Sequence, residues 1–223
     1  MLARTTGLAV VGAMLFLVTS ADAQNKQKPQ AVRISGEVKG YRSGVLLVVG
    51  SDTKAYYVRF DREAKIDITG DTDASILKVG MYVRFEVKMD KRGNAEEAID
   101  KLELFTYDAQ VARTGTEERG DGKYLVAGRI KSLTKAGKMT VSVDKSNTVT
   151  GDVAKGAPVN VGVRGAAWLQ LAKPGDTVSL FGDLVRPPSS APGAILAKEV
   201  QVTMSKAAAP AADPKTAKEK KKS

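Results

Sequence analysis

Cysteine and histidine are both missing from the 223-residue chain. Without cysteine there is no disulfide, no thiolate nucleophile and no cysteine-based metal site. Histidine is the usual general base near neutral pH and the commonest metal ligand. Its absence excludes Ser-His-Asp and Cys-His hydrolysis, and zinc or copper sites that depend on imidazole.

Long apolar runs are also scarce. The one marked stretch covers residues 7–18, follows Arg4 and precedes Ala21-Asp22-Ala23, a small-x-small cleavage pattern. Twelve residues at about 1.5 Å each do not span the roughly 30 Å of a bilayer core. The pattern is typical of a cleaved signal peptide over residues 1–23. It predicts an exported protein, periplasmic or extracellular after cleavage near Ala23.

Sequence motifs for catalysis are lacking as well. No G-x-S-x-G or phosphate-binding loop is present, and Leu125 stands where the Gly120-Asp121-Gly122 segment would need a third glycine for a dinucleotide site. Asp71-Thr72-Asp73 resembles the start of a calcium loop, but the required later glycine and glutamate are Ile76 and Tyr82. We therefore expect no enzyme activity, no cofactor and no metal. An enzyme that uses carboxylates alone stays open as an alternative.

What the chain does contain is apolar residues that alternate with polar ones. The segment around Val83, Phe85 and Val87 shows this period of two, which is typical of half-buried strands. Such segments fill residues 31–107 and again 123–205, so we predict two strand-rich domains. The polar residues 108–122 between them are predicted to be a linker.

The two halves resemble each other. Ser35-Gly36-Glu37-Val38 corresponds to Ala127-Gly128-Arg129-Ile130, 92 positions later, and residues 77–80 correspond to residues 172–175 at an offset of 95. Residues 98–102 correspond to residues 196–200 at an offset of 98. Small loop insertions produce such a growing offset. Duplication is the favoured interpretation, with two unrelated β domains as the alternative.

Residues 75–83 (Ser-Ile-Leu-Lys-Val-Gly-Met-Tyr-Val) carry a family resemblance, and residues 171–178 repeat it with one extra position. The phrase resembles the entry into the fourth strand of small bacterial exported OB-fold domains, which are five-stranded Greek-key barrels. The resemblance implies an all-β chain of two tandem small OB-like β-barrels with short helical connectors. It also implies a role in binding a small ligand, a polyanion or a protein. The copper site of one subgroup is not carried over, since histidine is missing.

Positive charge is concentrated in the second half and in the tail. Residues 31–107 are neutral, whereas residues 123–205 have a net charge of +6. Residues 206–223 are rich in Ala, Pro and Lys, a composition typical of disorder. This tail has two readings, a solubilising segment or an electrostatic tether to an anionic surface. Its lysines are Lys206, Lys215, Lys218, Lys220, Lys221 and Lys222.

Two Tyr–Arg pairs are the candidate ligand-binding residues. Tyr57 and Arg59 lie on one expected strand, and Tyr82 and Arg84 on another. Alternation turns both pairs away from the core-facing Val58 and Val83, and aromatic and basic side chains on such a face suit a single-stranded nucleic acid. Ordinary cross-strand packing is the competing interpretation.

Together these features predict a non-enzymatic, exported binding or scaffolding protein of the cell envelope. Its expected partner is an envelope protein or an anionic polymer. A nucleic-acid or general polyanion binder is the alternative, although an exported protein meets little nucleic acid.

Overall fold

The computed structural model describes residues 30–108 and 114–205. This part of the chain is mostly β, with one twelve-stranded sheet and two short 3₁₀ helices, η1 (Ala74–Ile76) and η2 (Ala166–Leu171). The strands are β1 (Gln30–Arg42), β2 (Val45–Gly50), β3 (Ala55–Asp73), β4 (Tyr82–Lys88), β5 (Leu102–Phe105), β6 (Gly115–Gly120), β7 (Lys123–Leu133), β8 (Lys138–Ser142), β9 (Thr148–Asp152), β10 (Pro158–Arg164), β11 (Thr177–Arg186) and β12 (Gly193–Met204). The all-β prediction is confirmed at this level.

Burial follows the alternation that the sequence shows. In β4, Val83, Phe85 and Val87 are buried while Glu86 between them is exposed. In β10, Val159, Val161 and Val163 are buried and every residue between them is exposed. Side chains of a strand point alternately to its two faces, so each strand has one apolar face. The sheet therefore has to curl around these faces.

The first closed ring, called ring A, contains β1, β2, β3, β12 and β11 in that order. β1 pairs antiparallel with β2 and with β11, and β2 pairs antiparallel with β3. β12 pairs antiparallel with β11 and parallel with β3, which closes the ring. Closure removes sheet edges that would otherwise expose unpaired backbone groups.

The second ring, called ring B, contains β4, β7, β8, the β9–β10 segment and β5. β7 pairs antiparallel with β4 and with β8, β8 pairs with β9, and β5 pairs parallel with β10. Single bridges from Asn94 to Thr150 and from Ile99 to Val153 connect β9 and the link after it to the segment before β5. β4–β5 pairing completes the ring.

The rings exchange strands between the two halves of the chain. Ring A takes three strands from the first half and two from the second, and ring B takes the converse set. One apolar core cluster contains residues of both halves, from Val38 to Met204. The prediction of two self-contained barrels over 31–107 and 123–205 is thus not confirmed, because the strand pairings do not divide between those ranges.

The two halves nevertheless make equivalent contacts, at positions that the sequence repeat relates to each other. Gly80 donates its N–H to the Ile130 carbonyl at 2.8 Å, and Gly175 donates to the Val38 carbonyl at 3.0 Å. Each bond joins the loop before one half's fourth strand to the other half's first strand. The parallel partners Leu102–Val159 and Val200–Ile66 match in the same way. The exchange is therefore reciprocal.

β3 and β10 join the rings. Residues 67–73 of β3 pair antiparallel with residues 158–164 of β10, from Asp67–Arg164 to Asp73–Pro158. The Asp67 carboxylate and the Arg164 guanidinium lie 3.3 Å apart at one end of this ladder. The Asn160 amide donates to Asp71 at 3.0 Å near the other end.

One local expectation differs from the structure. Part of the predicted linker 108–122 is β6, which forms a hairpin with β7 through Asp121 and Gly122. The predicted signal peptide 1–23, residues 24–29 and the basic tail 206–223 lie outside the described residues, as does 109–113.

Strand exchange makes the two halves inseparable without unfolding. We expect a chain cut at a protease site inserted between Asp108 and Thr114 to elute from gel filtration at the volume of the uncut protein. Two separated fragments would show that the pairing of β4 with β7 and of β11 with β1 is wrong. Uncut protein that carries the insertion is the control.

Close strand approach at Gly36 gives a second prediction. A Cβ atom at Gly36 would overlap the Val49 carbonyl, whereas one at Gly40 in the same strand meets nothing within 4 Å. Gly36→Ala should lower the free energy of unfolding by about 1–3 kcal/mol, the usual effect of overpacking. Gly40→Ala should stay within about 0.5 kcal/mol. Urea titration measures both, and equal values would contradict the packing described for β1 and β2.

Candidate binding surfaces

The first predicted pair, Tyr57 and Arg59, lies on the outer face of ring A. Tyr57 is 44% exposed, and Arg59 is exposed as well. Their strand, β3, places Tyr57 beside Leu47 of β2 and Ala194 of β12. Both side chains are accessible to a ligand.

The second pair, Tyr82 and Arg84, lies on β4 in ring B and is engaged within the protein. Tyr82 stacks on Tyr107 with the ring centroids 4.9 Å apart. The Arg84 guanidinium lies 5.0 Å from the centroid of the Phe105 ring and 3.0 Å from Glu103. Arg84 therefore has a cation–π contact and an ion pair of its own. The two predicted pairs belong to different rings and are not brought together, so their ligand-binding role stays a prediction.

Two shallow grooves occupy equivalent places on the rings, one of about 360 Å³ in ring A and one of about 380 Å³ in ring B. Arg33 and Lys65 in the first groove are balanced by Asp67 and Glu199. The groove in ring B is lined by three carboxylates and two basic residues: Glu86, Asp100, Glu103, Arg84 and Lys101. Since charge of both signs lines each groove, neither selects a ligand of one sign.

The one buried charged residue among those the structure describes is Asp176, 2% exposed in the loop before β11. Its carboxylate accepts hydrogen bonds from the backbone N–H of Lys173 at 2.7 Å and of Ser205 at 3.0 Å. Buried carboxylates need such partners because desolvation is otherwise expensive. Asp176 thus fastens the end of β12 to the loop that contacts Val38, which is a structural role.

The strongest accumulation of one charge lies in the segment from β7 to β10, on β7, β8 and β10 and on the turns and links between these strands. Residues 123–164 contain eight basic and two acidic residues. All eight basic side chains are exposed, and only Arg164 has an ion pair within the described residues. We call this set the basic surface: Lys123, Arg129, Lys131, Lys135, Lys138, Lys145, Lys155 and Arg164.

Asp144, one of the two acidic residues in this segment, is engaged in a turn. Its carboxylate accepts hydrogen bonds from the backbone N–H groups of Asn147 and Ser146, which lower its pKa to about 2. The carboxylate is therefore ionised at neutral pH and organises the β8–β9 turn. It does not form an ion pair with any residue of the basic surface in the described structure.

A cleft of about 470 Å³ opens at one end of the basic surface. The β7–β8 turn contributes Lys135, and the link between β9 and β10 contributes Lys155. The apolar part of its lining comes from Leu77, Leu133 and Val153. No acidic side chain lines the cleft among the residues that the structure describes. The cleft therefore combines an apolar lining with positive charge alone.

Unequal 3₁₀ helices distinguish this cleft from the corresponding region of ring A. η1, beside the cleft, has three residues, whereas η2 has six. η2 packs against β3, the counterpart of the β9–β10 segment, and its half-buried Trp168 contacts the core. η2 therefore adds three residues that have no equivalent in η1.

Comparison with known proteins adds no relative. No family model matches the chain, and neither a curated protein nor a solved structure matches it. Within residues 30–108 and 114–205, no group of three or more acidic side chains is placed to hold a metal ion. In the same ranges, no helix has the length and hydropathy needed to cross a membrane.

The sequence predicts a positive charge for residues 123–205, but this prediction does not say which ring carries the charge. The sequence does contain the needed distinction, since the eight basic residues fall within 123–164 and the later strands of that half are neutral. Strand exchange then takes β11 and β12 into ring A. The basic residues consequently remain on ring B, together with β4 and β5 from the first half.

The contacts of Arg84 within the protein predict that its substitution lowers the free energy of unfolding more than substitution of Arg59. Arg84→Gln removes an ion pair and a cation–π contact, so we expect the free energy of unfolding to fall by about 1 kcal/mol. Arg59→Gln, at an exposed position with neither contact in the described structure, should stay within about 0.5 kcal/mol. Urea denaturation of both variants checks this, and an equal loss would contradict the internal role of Arg84.

Proposed function

We propose that the protein is a non-enzymatic, exported binding or scaffolding protein that binds an anionic polymer of the cell envelope. The observation that supports this most directly is the basic surface with the cleft at its end. Seven of its eight basic side chains have no ion pair in the described residues. Fixed charges of one sign on a folded surface attract polyanions and release their counterions.

We further propose that the two rings are OB-like barrels that exchange their last two strands. The order β1-β2-β3-β12-β11, with β3 and β12 parallel, supports this for ring A. The reciprocal set of pairings supports it for ring B. Export with cleavage near Ala23, and a tail over 206–223 that adds electrostatic attraction, complete the proposal.

Lysine predominates on the basic surface, and this affects the expected ligand. Lysine presents a compact charge on a flexible stem, whereas arginine forms fixed bidentate bonds. Six of the eight residues are lysines. Such a surface suits a polymer with spaced sulfate, phosphate or carboxylate groups, recognised by charge density rather than by one exact geometry.

A nucleic acid is the weaker candidate for the same surface. Proteins that bind single strands stack bases on aromatic side chains, at about 1–3 kcal/mol for each base. Residues 123–164 contain one aromatic residue, Tyr124, and it is half-buried against the core. The exposed Tyr57 lies on ring A, away from the basic surface.

Charge reversal at the cleft tests the proposal. In a chain that lacks 206–223, Lys135→Glu with Lys155→Glu should weaken heparin binding. The slope of log Kobs against log salt should fall by about two, because about one released counterion is lost per contact. Titration at several salt concentrations measures the affinity and the slope.

The matched control reverses the same amount of charge on ring A, with Lys54→Glu and Arg59→Glu. Both positions are exposed, so the net charge changes equally and only the location differs. If the control loses as much affinity as the cleft variant, heparin responds to net charge and the proposed surface is wrong. Tighter binding of single-stranded DNA than of heparin, lost in the control, would favour Tyr57 and Arg59 as a nucleic-acid site.

A further inference from the structure

The first strand of ring A has a long edge that no other described strand covers. β1 pairs with β11 from Gln30 to Glu37 on one side. On its other side, pairing with β2 begins only at Gly36. Within the described residues, no strand pairs with the segment from Gln30 to Ile34 on that second side. Open edges of this kind are templates for the addition of a strand.

The corresponding edge of ring B is occupied. β7 is the counterpart of β1, and β6 pairs antiparallel with it from Gly115–Ala127 to Gly120–Lys123. At the repeat offset of 92, Ala127 corresponds to Ser35 and Lys123 to Ala31. The protein itself therefore shows that an antiparallel strand fits at this place on such a ring.

Side chains at equivalent positions of the two rings are buried to different extents, because only the edge of β7 is covered by a strand. Val126 is 0% exposed beneath the β6–β7 hairpin, where it lies opposite Thr116. Its counterpart Ile34 is only partly buried, although both contact the apolar core. Val32, two positions before Ile34, is likewise partly buried. An added strand would cover both apolar side chains, and burial of such surface is favourable.

The backbone groups available for this pairing follow from one hydrogen bond. The Ser35 carbonyl accepts from the Ser51 N–H at 2.9 Å, so Ser35 directs its backbone groups to the β2 side. Backbone direction alternates along a strand. Ala31 and Arg33 therefore direct their N–H and carbonyl groups to the open edge, as their counterparts Lys123 and Leu125 do towards β6.

We infer that the open edge of β1 binds an extended segment of a partner protein, antiparallel to β1, with β-branched residues on its inner face and an acidic residue opposite Arg33. β6 is the template, since it places Glu117 opposite the counterpart of Arg33 and carries two glutamates in six residues. Arg33 is exposed, its guanidinium lies 5.8 Å from the centroid of the Phe181 ring, and it has no ion pair in the described residues. A second copy is the less favourable occupant because the chain has a net charge of +10. This edge lies on ring A and does not depend on the basic surface.

The test uses the isotope-labelled protein and two synthetic peptides, Gly-Thr-Val-Glu-Val-Thr-Gly and the same sequence with Lys in place of Glu. We expect the acidic peptide to shift the amide signals of residues 30–35 and to slow hydrogen exchange at Ala31 and Arg33. It should bind about two- to five-fold more tightly than its lysine counterpart, as one cross-strand charge pair provides. Equal binding of both peptides, or shifts elsewhere only, would overturn the inference.

Arg33→Pro supplies the matched variant. It removes an N–H that faces the open edge and leaves the β1–β11 ladder intact, a position where sheets tolerate proline. Binding should disappear while the melting temperature falls by no more than about 4 °C, since the variant also loses the contact of Arg33 with the Phe181 ring. Arg33→Lys should retain binding. If Arg33→Pro fails to fold, Ala31→Pro makes the same test at the next outward-facing N–H. A dimer in sedimentation equilibrium that either proline variant dissolves would assign the edge to a second copy and refute the partner segment.

Discussion

Backbone pairing between the halves is the constraint on which this structure depends. The first strand of each half needs a neighbour on the side away from its own second strand, and that neighbour comes from the other half. β1 thus pairs with β11, and β7 pairs with β4. Buried N–H and carbonyl groups must be paired, so neither set of three strands is satisfied alone. The large core cluster with residues of both halves follows from this requirement, since the side chains of each ring come from both halves.

Both proposed sites lie where the two rings depart from their common plan. The cleft opens beside the three-residue η1, whereas the six-residue η2 packs on ring A. The open edge exists on β1, whereas β6 covers the same edge of β7. The two halves differ in charge as well, because the first half has no excess of basic residues equivalent to that of residues 123–164. The shared framework gives both rings stability, and the unshared additions distinguish their surfaces.

Local sequence predicts the strands of this protein well and their partners poorly. Alternation around Val83 and Val161 fixes which face is buried, and the glycines at 36 and 128 mark equivalent close approaches between strands. The same alternation is satisfied whether β4 pairs with β1 or with β7, so periodicity holds no information on the exchange. For the candidate sites, the charge of residues 123–164 can be predicted from the sequence. The contacts of Arg84 with Glu103 and Phe105 cannot be predicted from it, because they depend on the register of β4 against β5.

The contacts where each ring closes are alike in exchanged and self-contained rings. Gly80 bonds to Ile130, and in a self-contained ring it would find the equivalent carbonyl of Val38. The ladder between residues 67–73 and 158–164 joins the third strands of the two rings, so it holds the rings against each other. Its exposed ion pair between Asp67 and Arg164 contributes at most about 1 kcal/mol. The backbone bonds and the buried Ile68 and Val163 within that ladder therefore contribute most to this junction.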